Sequence, residues 1–285
     1  MELGIDPFRR KPAGADYDGW RTLGGGRAMT MAGRIAWIQR VAALSMRHPV
    51  ETWDRVMGLR EIRRFHPSPG SSPLQPSMQW EDELHRRIGA PWPCPALAVF
   101  DSLWSRMSDE LPDADARLDA DLAVARAVFC CVRHLAPTTV VETGVARGIT
   151  SRVILEALPP NNGQLWSIDL PQVKVGWSDQ SQVAVPRRLR SNWHYVRGAS
   201  RRRLGDVLRR AGEVDLFVQD SLHTPKTVLL ECGHAWRALR RGGVLVVDDE
   251  DSGVGFAQFV KEVAPSWFTV APHAVKKSTF ALAIR

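Results

Sequence analysis

Cysteine is scarce in this sequence, with four in 285 residues, at positions 94, 130, 131 and 232 and with no Cys-x-x-Cys pair. That spacing argues against a disulfide framework and against zinc; adjacent Cys130 and Cys131 on an apolar helix read as buried thiols in a reducing compartment. No hydrophobic run is long enough to span a bilayer. The first residues place Asp6, Arg9, Arg10 and Lys11 among glycines rather than an apolar core with a cleavage site, so the expectation is a cytoplasmic protein. No internal repeat is visible. Acidic side chains are outnumbered by basic ones, 31 to 38, for a net charge of +7. That balance raises the question of nucleic acid. The arginines are scattered, however, and the densest run (Arg197, Arg201, Arg202, Arg203, Arg209 and Arg210) has no interleaved aromatics and reads as a solvated helix face.

Two nucleotide-binding signatures are also missing. Gly144 and Gly148 are spaced G-x-x-x-G, without the third glycine of the dinucleotide fingerprint, and no Gly-Lys-Ser or Gly-Lys-Thr follows to reach the phosphates of a nucleotide. What is present there is an apolar, β-branched start at Val140 and Val141, then Glu142, Thr143 and Gly144. An apolar pattern at helical spacing begins after Gly148. This is strand, tight turn, helix. Glycine serves where the backbone needs positive φ or a ligand must approach, and the helix start leaves N–H groups free for a polar ligand group. An ordinary βα turn with a packing glycine would look similar.

Composition, with 44% hydrophobic and 24% charged residues, describes a globular chain large enough for one domain plus an appendage. Residues 1–28 are rich in Gly, Asp and Arg and are expected to be loosely packed. Helices are expected over 31–46, 50–64, 80–88 and 96–107, separated by the Pro/Ser loop 67–76 and by Pro91-Trp92-Pro93-Cys94-Pro95. Residues 1–110 therefore form an N-terminal helical cap, either a substrate lid, a dimer arm or packing on the sheet edge. From 111 to 285 the pattern is regular. A long helix carrying Leu118, Leu122, Val128 and Phe129 ends before Pro137, and strands at 140–142, 164–168, 193–196, 214–218 and 244–247 alternate with helices. Segments 268–270 and 279–284 add an antiparallel hairpin. The expected fold is α/β: a Rossmann-like, doubly wound, seven-stranded, mostly parallel sheet.

The polar residues at the strand ends converge on one crevice. Asp169 ends the second strand, where a carboxylate can accept from two ribose hydroxyls. Gly198-Ala199-Ser200 follows the third, Asp220 ends the fourth, and Asp248 and Asp249 end the fifth. One aspartate at a strand end is commonly a helix cap. Three from adjacent strands repel one another and call for a cation, and an all-oxygen set favours Mg²⁺. His223, three residues after Asp220, is either a solvated capping side chain or a base beside that metal.

Residues from about 137 to 285 resemble the class I S-adenosylmethionine-dependent methyltransferases. Within that class they are most similar to the metal-dependent O-methyltransferases that modify macrolide sugars, with landmarks shared by catechol O-methyltransferase. The resemblance rests on Val141-Glu142-Thr143-Gly144 with Gly148 and Thr150, on Asp169, on Gly198-Ala199-Ser200, on Asp220 with His223, and on Gly242-Gly243-Val244-Leu245-Val246-Val247-Asp248-Asp249. It implies that Glu142, Gly144, Gly148 and Thr150 frame the methionine part of the cofactor, that Asp169 holds its ribose and Ser200 its adenine, and that Asp220 borders the same pocket. It further implies that Asp220, Asp248 and Asp249 bind Mg²⁺ or Mn²⁺ and that His223 is the base. Catechol-type enzymes carry lysine at the His223 position and the sugar-modifying group histidine. Gln219-Asp220-Ser221-Leu222-His223 departs from the commoner Asp-Gly-Asp-His, and the resemblance does not extend to the first 110 residues.

The implied partner is a small-molecule hydroxyl acceptor, a sugar or glycoside, with a homodimer possible, no membrane and nucleic acid disfavoured. An RNA methyltransferase and a non-catalytic nucleoside-binding module are the alternatives. The absence of a D/N-P-P-Y signature after the fourth strand counts against the first, and the carboxylates and histidine against the second.

Overall fold

A computed structural model describes residues 39, 42–43, 45–65, 70–111, 119–159, 163–170 and 182–285. The expectations for residues 1–28, for most of the helix at 31–46 and for Leu118 lie outside the described residues. Among the described residues, the helices α1 (Pro49–Phe65), α2 (Trp80–Arg87) and α3 (Leu97–Glu110) precede α4 (Leu122–Leu135). The alternating part then runs β1 (Thr139–Thr143), α5 (Ile149–Ala157), β2 (Gln164–Asp169), β3 (Trp193–Arg197), α6 (Ser200–Ala211), β4 (Val214–Gln219), α7 (Pro225–Ala238), β5 (Leu239–Val247), α8 (Gly255–Val263), β6 (Trp267–Pro272) and β7 (Thr279–Ile284). Among the described residues, no helix is long and apolar enough to cross a membrane.

The strands form one seven-stranded sheet in the order β3-β2-β1-β4-β5-β7-β6. All pairs are parallel up to β5, and β7 is antiparallel to both of its neighbours. The central strands are near-continuous apolar runs because both faces are covered. Successive residues alternate between two core layers. Val140, Leu216, Val218, Val244 and Val246 pack with α4 and α5, whereas Val141, Phe217, Leu245 and Val247 pack with α6, α7 and α8. The first layer also takes in Trp80, Leu84, Phe100, Leu103 and Met107 of α2 and α3, so these helices share the core of the sheet.

Strand β5 is longer than the apolar run 244–247. It begins at Leu239 and pairs with Val214 before a register shift, and Gly242 at φ +73° turns the backbone through that irregularity. The chain reverses between β1 and β4, the switch point at which open α/β sheets bind ligands beyond the carboxyl ends of their strands.

Candidate active site

Gly144 has to be glycine for two reasons. Its φ is +86°, and a Cβ built on it would lie 1.8 Å from the carbonyl oxygen of Asp220, so the turns after β1 and β4 touch backbone to backbone. Gly148 at φ +87° caps α5, leaving the first-turn N–H groups of Ile149, Thr150 and Ser151 at the carboxyl end of β1. Glu142 is fully buried beneath this turn. One of its oxygens accepts from Ser151 Oγ at 2.6 Å and Ser167 Oγ at 2.7 Å, while Oε1 has no partner. Burial outweighs the two hydroxyls and pushes its carboxyl up to about 7.

Asp169 stands at the end of β2 and accepts from the N–H groups of Val145 and Leu170; burial still raises its carboxyl to about 6. Arg55 and Arg197 lie close enough to oppose that rise. Both belong to an arrangement that corrects the reading of the arginine run as a solvated face. Arg197 makes a two-pronged bridge to Glu51 of α1 at 2.9 Å, and Arg201 and Arg202 both bond the buried Asp54. Arg203, Arg209 and Arg210 keep the expected exposed character, the last two pairing with Asp206 on the outer face of α6. Farther along α1, Glu61 accepts from Thr224 and Thr227, and Gly58 faces Leu222. Helix α1 thus crosses the carboxyl ends of β2, β3 and β4. Glu231 of α7, also fully buried, accepts from Thr143 and Ser221 at 2.7 Å and from Ser200, tying together three of the turns that border the crevice.

The structure brings Asp220, His223, Asp248 and Asp249 together, as expected. Nε2 of His223 is 3.7 Å from Asp220 and 3.8 Å from Asp249, and its Nδ1 is buried without a partner. Two cations absent from the sequence reading join them from the link between β6 and β7. Nζ of Lys276 lies 2.9 Å from Asp248 and 3.5 Å from Asp249, and Nε2 of His273 lies 3.1 Å from Asp248 and 3.5 Å from Asp249. Burial opposes ionisation of Asp248, yet Lys276 and His273 outweigh it and hold that carboxyl well below the usual range. Asp220 is pushed the other way, by burial and by Asp248 and Asp249, with Lys276 only a partial offset.

The link is itself pinned by Asp121, which caps α4 through Ala123 N–H and accepts from the N–H groups of Ala274, Val275 and Lys276. Against the effect of burial, His273 and these N–H groups lower Asp121 to about 2, and the surrounding aspartates raise His273 to about 11. Asp121, His273 and Lys276 left little trace in the sequence, since only the fold brings residues 121 and 273–276 together. A basic, histidine-bearing link between two apolar strands was the one available signal.

The model of a family described as a methyltransferase domain matches residues 141–250. No curated protein matches the chain. Among solved structures, the chain is similar to an O-methyltransferase from Bacillus cereus in complex with SAH, at 13% identity, a TM-score of 0.51, and 64% of this chain and 90% of that one covered. It is also similar to the O-methyltransferase TomG from Streptomyces achromogenes, involved in tomaymycin synthesis and solved with SAM, at 17% identity, a TM-score of 0.48, and 74% and 91% covered. A methyltransferase from Geobacter sulfurreducens aligns at 17% identity, a TM-score of 0.47, and 64% and 87% covered.

Proposed function

We propose that this chain, which carries a methyltransferase domain over residues 141–250, is a Mg²⁺-dependent O-methyltransferase. It would transfer the methyl group of S-adenosylmethionine to a hydroxyl of a sugar or glycosylated small molecule. The observation that carries this reading is the convergence, at the β1/β4 switch point, of a glycine turn, a carboxylate at the end of β2 and a carboxylate cluster with a histidine. Gly144, Gly148 and Thr150 would border the methionine part, with Glu142 beneath them; Asp169 would accept from the ribose, Ser200 would border the adenine, and Asp220 would close the pocket toward the acceptor. Two carboxyls held up to about 7 and about 6 in the free protein also suit a cofactor that brings a positive sulfonium, because a nearby cation favours their ionised forms.

The donors fit a hard divalent cation. Asp220, Asp248 and Asp249 offer only oxygens, and Asp220 is under-neutralised, since Lys276 only partly offsets burial and its two neighbouring aspartates. These three would hold Mg²⁺ or Mn²⁺, which when bound supplies Lewis acidity toward an acceptor hydroxyl. Lys276 and His273 keep Asp248 and Asp249 ionised and oriented. His223 would take the hydroxyl proton, and the cofactor when bound would supply the methyl group to the freed oxygen, leaving as S-adenosylhomocysteine. The engagement of Arg197, Arg201 and Arg202 with α1 leaves less free basic surface for RNA.

The test is incubation with the cofactor and a panel of glycosides bearing neighbouring hydroxyls, read by mass spectrometry. Methyl gain should require Mg²⁺ or Mn²⁺, and His223→Ala should lower kcat by roughly 10² to 10⁴ with cofactor affinity nearly unchanged. Methylation of RNA and not of the glycosides would overturn the acceptor assignment.

A further inference from the structure

Apart from the crevice residues, two histidines and two cysteines converge where α2, α4 and the loop between α2 and α3 meet. His85 comes from α2 and Cys94 from Trp92-Pro93-Cys94-Pro95, while Cys130 and His134 stand four residues apart on one face of α4. Nδ1 of His85 lies 2.6 Å from the carbonyl oxygen of Glu81, which can only accept, so the ring proton sits on Nδ1. In the neutral ring that leaves a lone pair on Nε2, an atom buried without a partner on a side chain 1% exposed. A backbone carbonyl fixing the other ring nitrogen is the usual support of a histidine metal ligand. Sγ of Cys94 lies 3.1 Å from Nε2 of His134 and 3.7 Å from Sγ of Cys130. One ligand atom each of His85, Cys94 and His134 falls within 4.8 Å of the others.

Tetrahedral zinc, with Zn–S of about 2.3 Å and Zn–N of about 2.0 Å, separates its ligand atoms by roughly 3.3 to 3.8 Å. The Cys94–Cys130 distance of 3.7 Å falls within that spacing, and the Cys94–His134 distance of 3.1 Å lies slightly below it. We propose that His85, Cys94, Cys130 and His134 bind a structural Zn²⁺ that clamps the proline-rich loop onto α2 and α4. Two thiolates and two neutral imidazoles balance the charge of the ion, each thiol giving up its proton on binding, so the completed site is neutral and tolerable in a buried place. The sequence hid the site because its ligands come from three segments, with none of the short Cys-x-x-Cys spacings that announce zinc.

The experiment uses the full chain, freed of any affinity tag, supplied with Zn²⁺ or Co²⁺ and then desalted. Elemental analysis should find about one zinc per chain. The cobalt form should show a thiolate-to-metal charge-transfer band with the intense visible bands of a tetrahedral ion. Cys94→Ser and His134→Ala should lose the metal, while Asp248→Asn should keep it, separating this site from the carboxylate cluster. Should the cysteine variants fail to fold, the wild-type chain gives the answer: stripping by a chelator should lower its melting temperature, and Zn²⁺ but not Mg²⁺ should restore it. Less than a tenth of an equivalent of zinc after supplementation, a cobalt spectrum without the charge-transfer band, or a Cys94–Cys130 disulfide in protein purified with zinc present would overturn the proposal.

Discussion

Replacing Glu142 with glutamine should stabilise the folded chain at alkaline pH, contrary to what loss of a hydrogen-bonded buried carboxylate would ordinarily do. Its carboxyl rises from 4.5 to about 7 on folding because burial outweighs the hydroxyls of Ser151 and Ser167. A raised carboxyl means that the folded state binds the proton more tightly, so stability is greatest below pH ~4.5 and falls as pH climbs toward ~7. The difference corresponds to about 3 kcal/mol, from 1.36 kcal/mol for each pH unit. Glutamine has the same shape and can still accept from both serines, but carries no charge to desolvate. Urea denaturation of both proteins at pH 4.5, 6 and 8 should give curves that nearly coincide at the acid end. At pH 8 the variant should be more stable by about 2 to 3 kcal/mol. Equal pH slopes, or a variant less stable at pH 8, would refute the burial argument.

Three further outcomes follow from the described contacts. Asp121→Ala uncaps α4, frees the N–H groups of Ala274, Val275 and Lys276 and removes one of the three aspartates around His273, a loss of about 2 to 4 kcal/mol that thermal denaturation would register; its own carboxyl, lowered to about 2, stabilises above pH ~3.8 and loses that effect as pH falls through ~2. Asp54→Ala frees Arg201 and Arg202, and about 1 to 3 kcal/mol lost there should speed proteolytic cleavage of α1 roughly tenfold or more, whereas an unchanged cleavage rate would mean that α1 is held by something else. Asp248→Asn should abolish turnover as a chelator does while sparing cofactor binding, and full activity of either the variant or the chelated enzyme would remove the metal from the reaction.

The sheet was readable because Val140, Leu216, Val244 and their neighbours make apolar runs that only a strand covered on both faces can use, and because Gly144 and Gly148 mark the turn between β1 and α5. Asp220, His223, Asp248 and Asp249 were readable for a related reason: parallel strands deliver their carboxyl ends to one edge, so strand positions alone predict which residues meet. Contacts made across the topology were not readable. Lys276 and His273 reach the aspartates because β7 inserts between β5 and β6 and Asp121 gathers the link, and nothing in the local pattern of residues 273–278 announces that. Glu51 and Asp54 turned an arginine run that looked solvated into a docking surface for α1 for the same reason: the partners lie some 146 to 148 residues apart.

The central claim is that the crevice at the β1/β4 switch point receives S-adenosylmethionine, and calorimetric titration with S-adenosylhomocysteine tests it most directly. The unmutated chain should bind with a stoichiometry near one, and Asp169→Ala should weaken binding by about 1.5 to 3 kcal/mol, roughly 10- to 150-fold, through the lost ribose bonds. No binding by the unmutated chain, equal affinity in the variant, or a preference for a nicotinamide dinucleotide would contradict it.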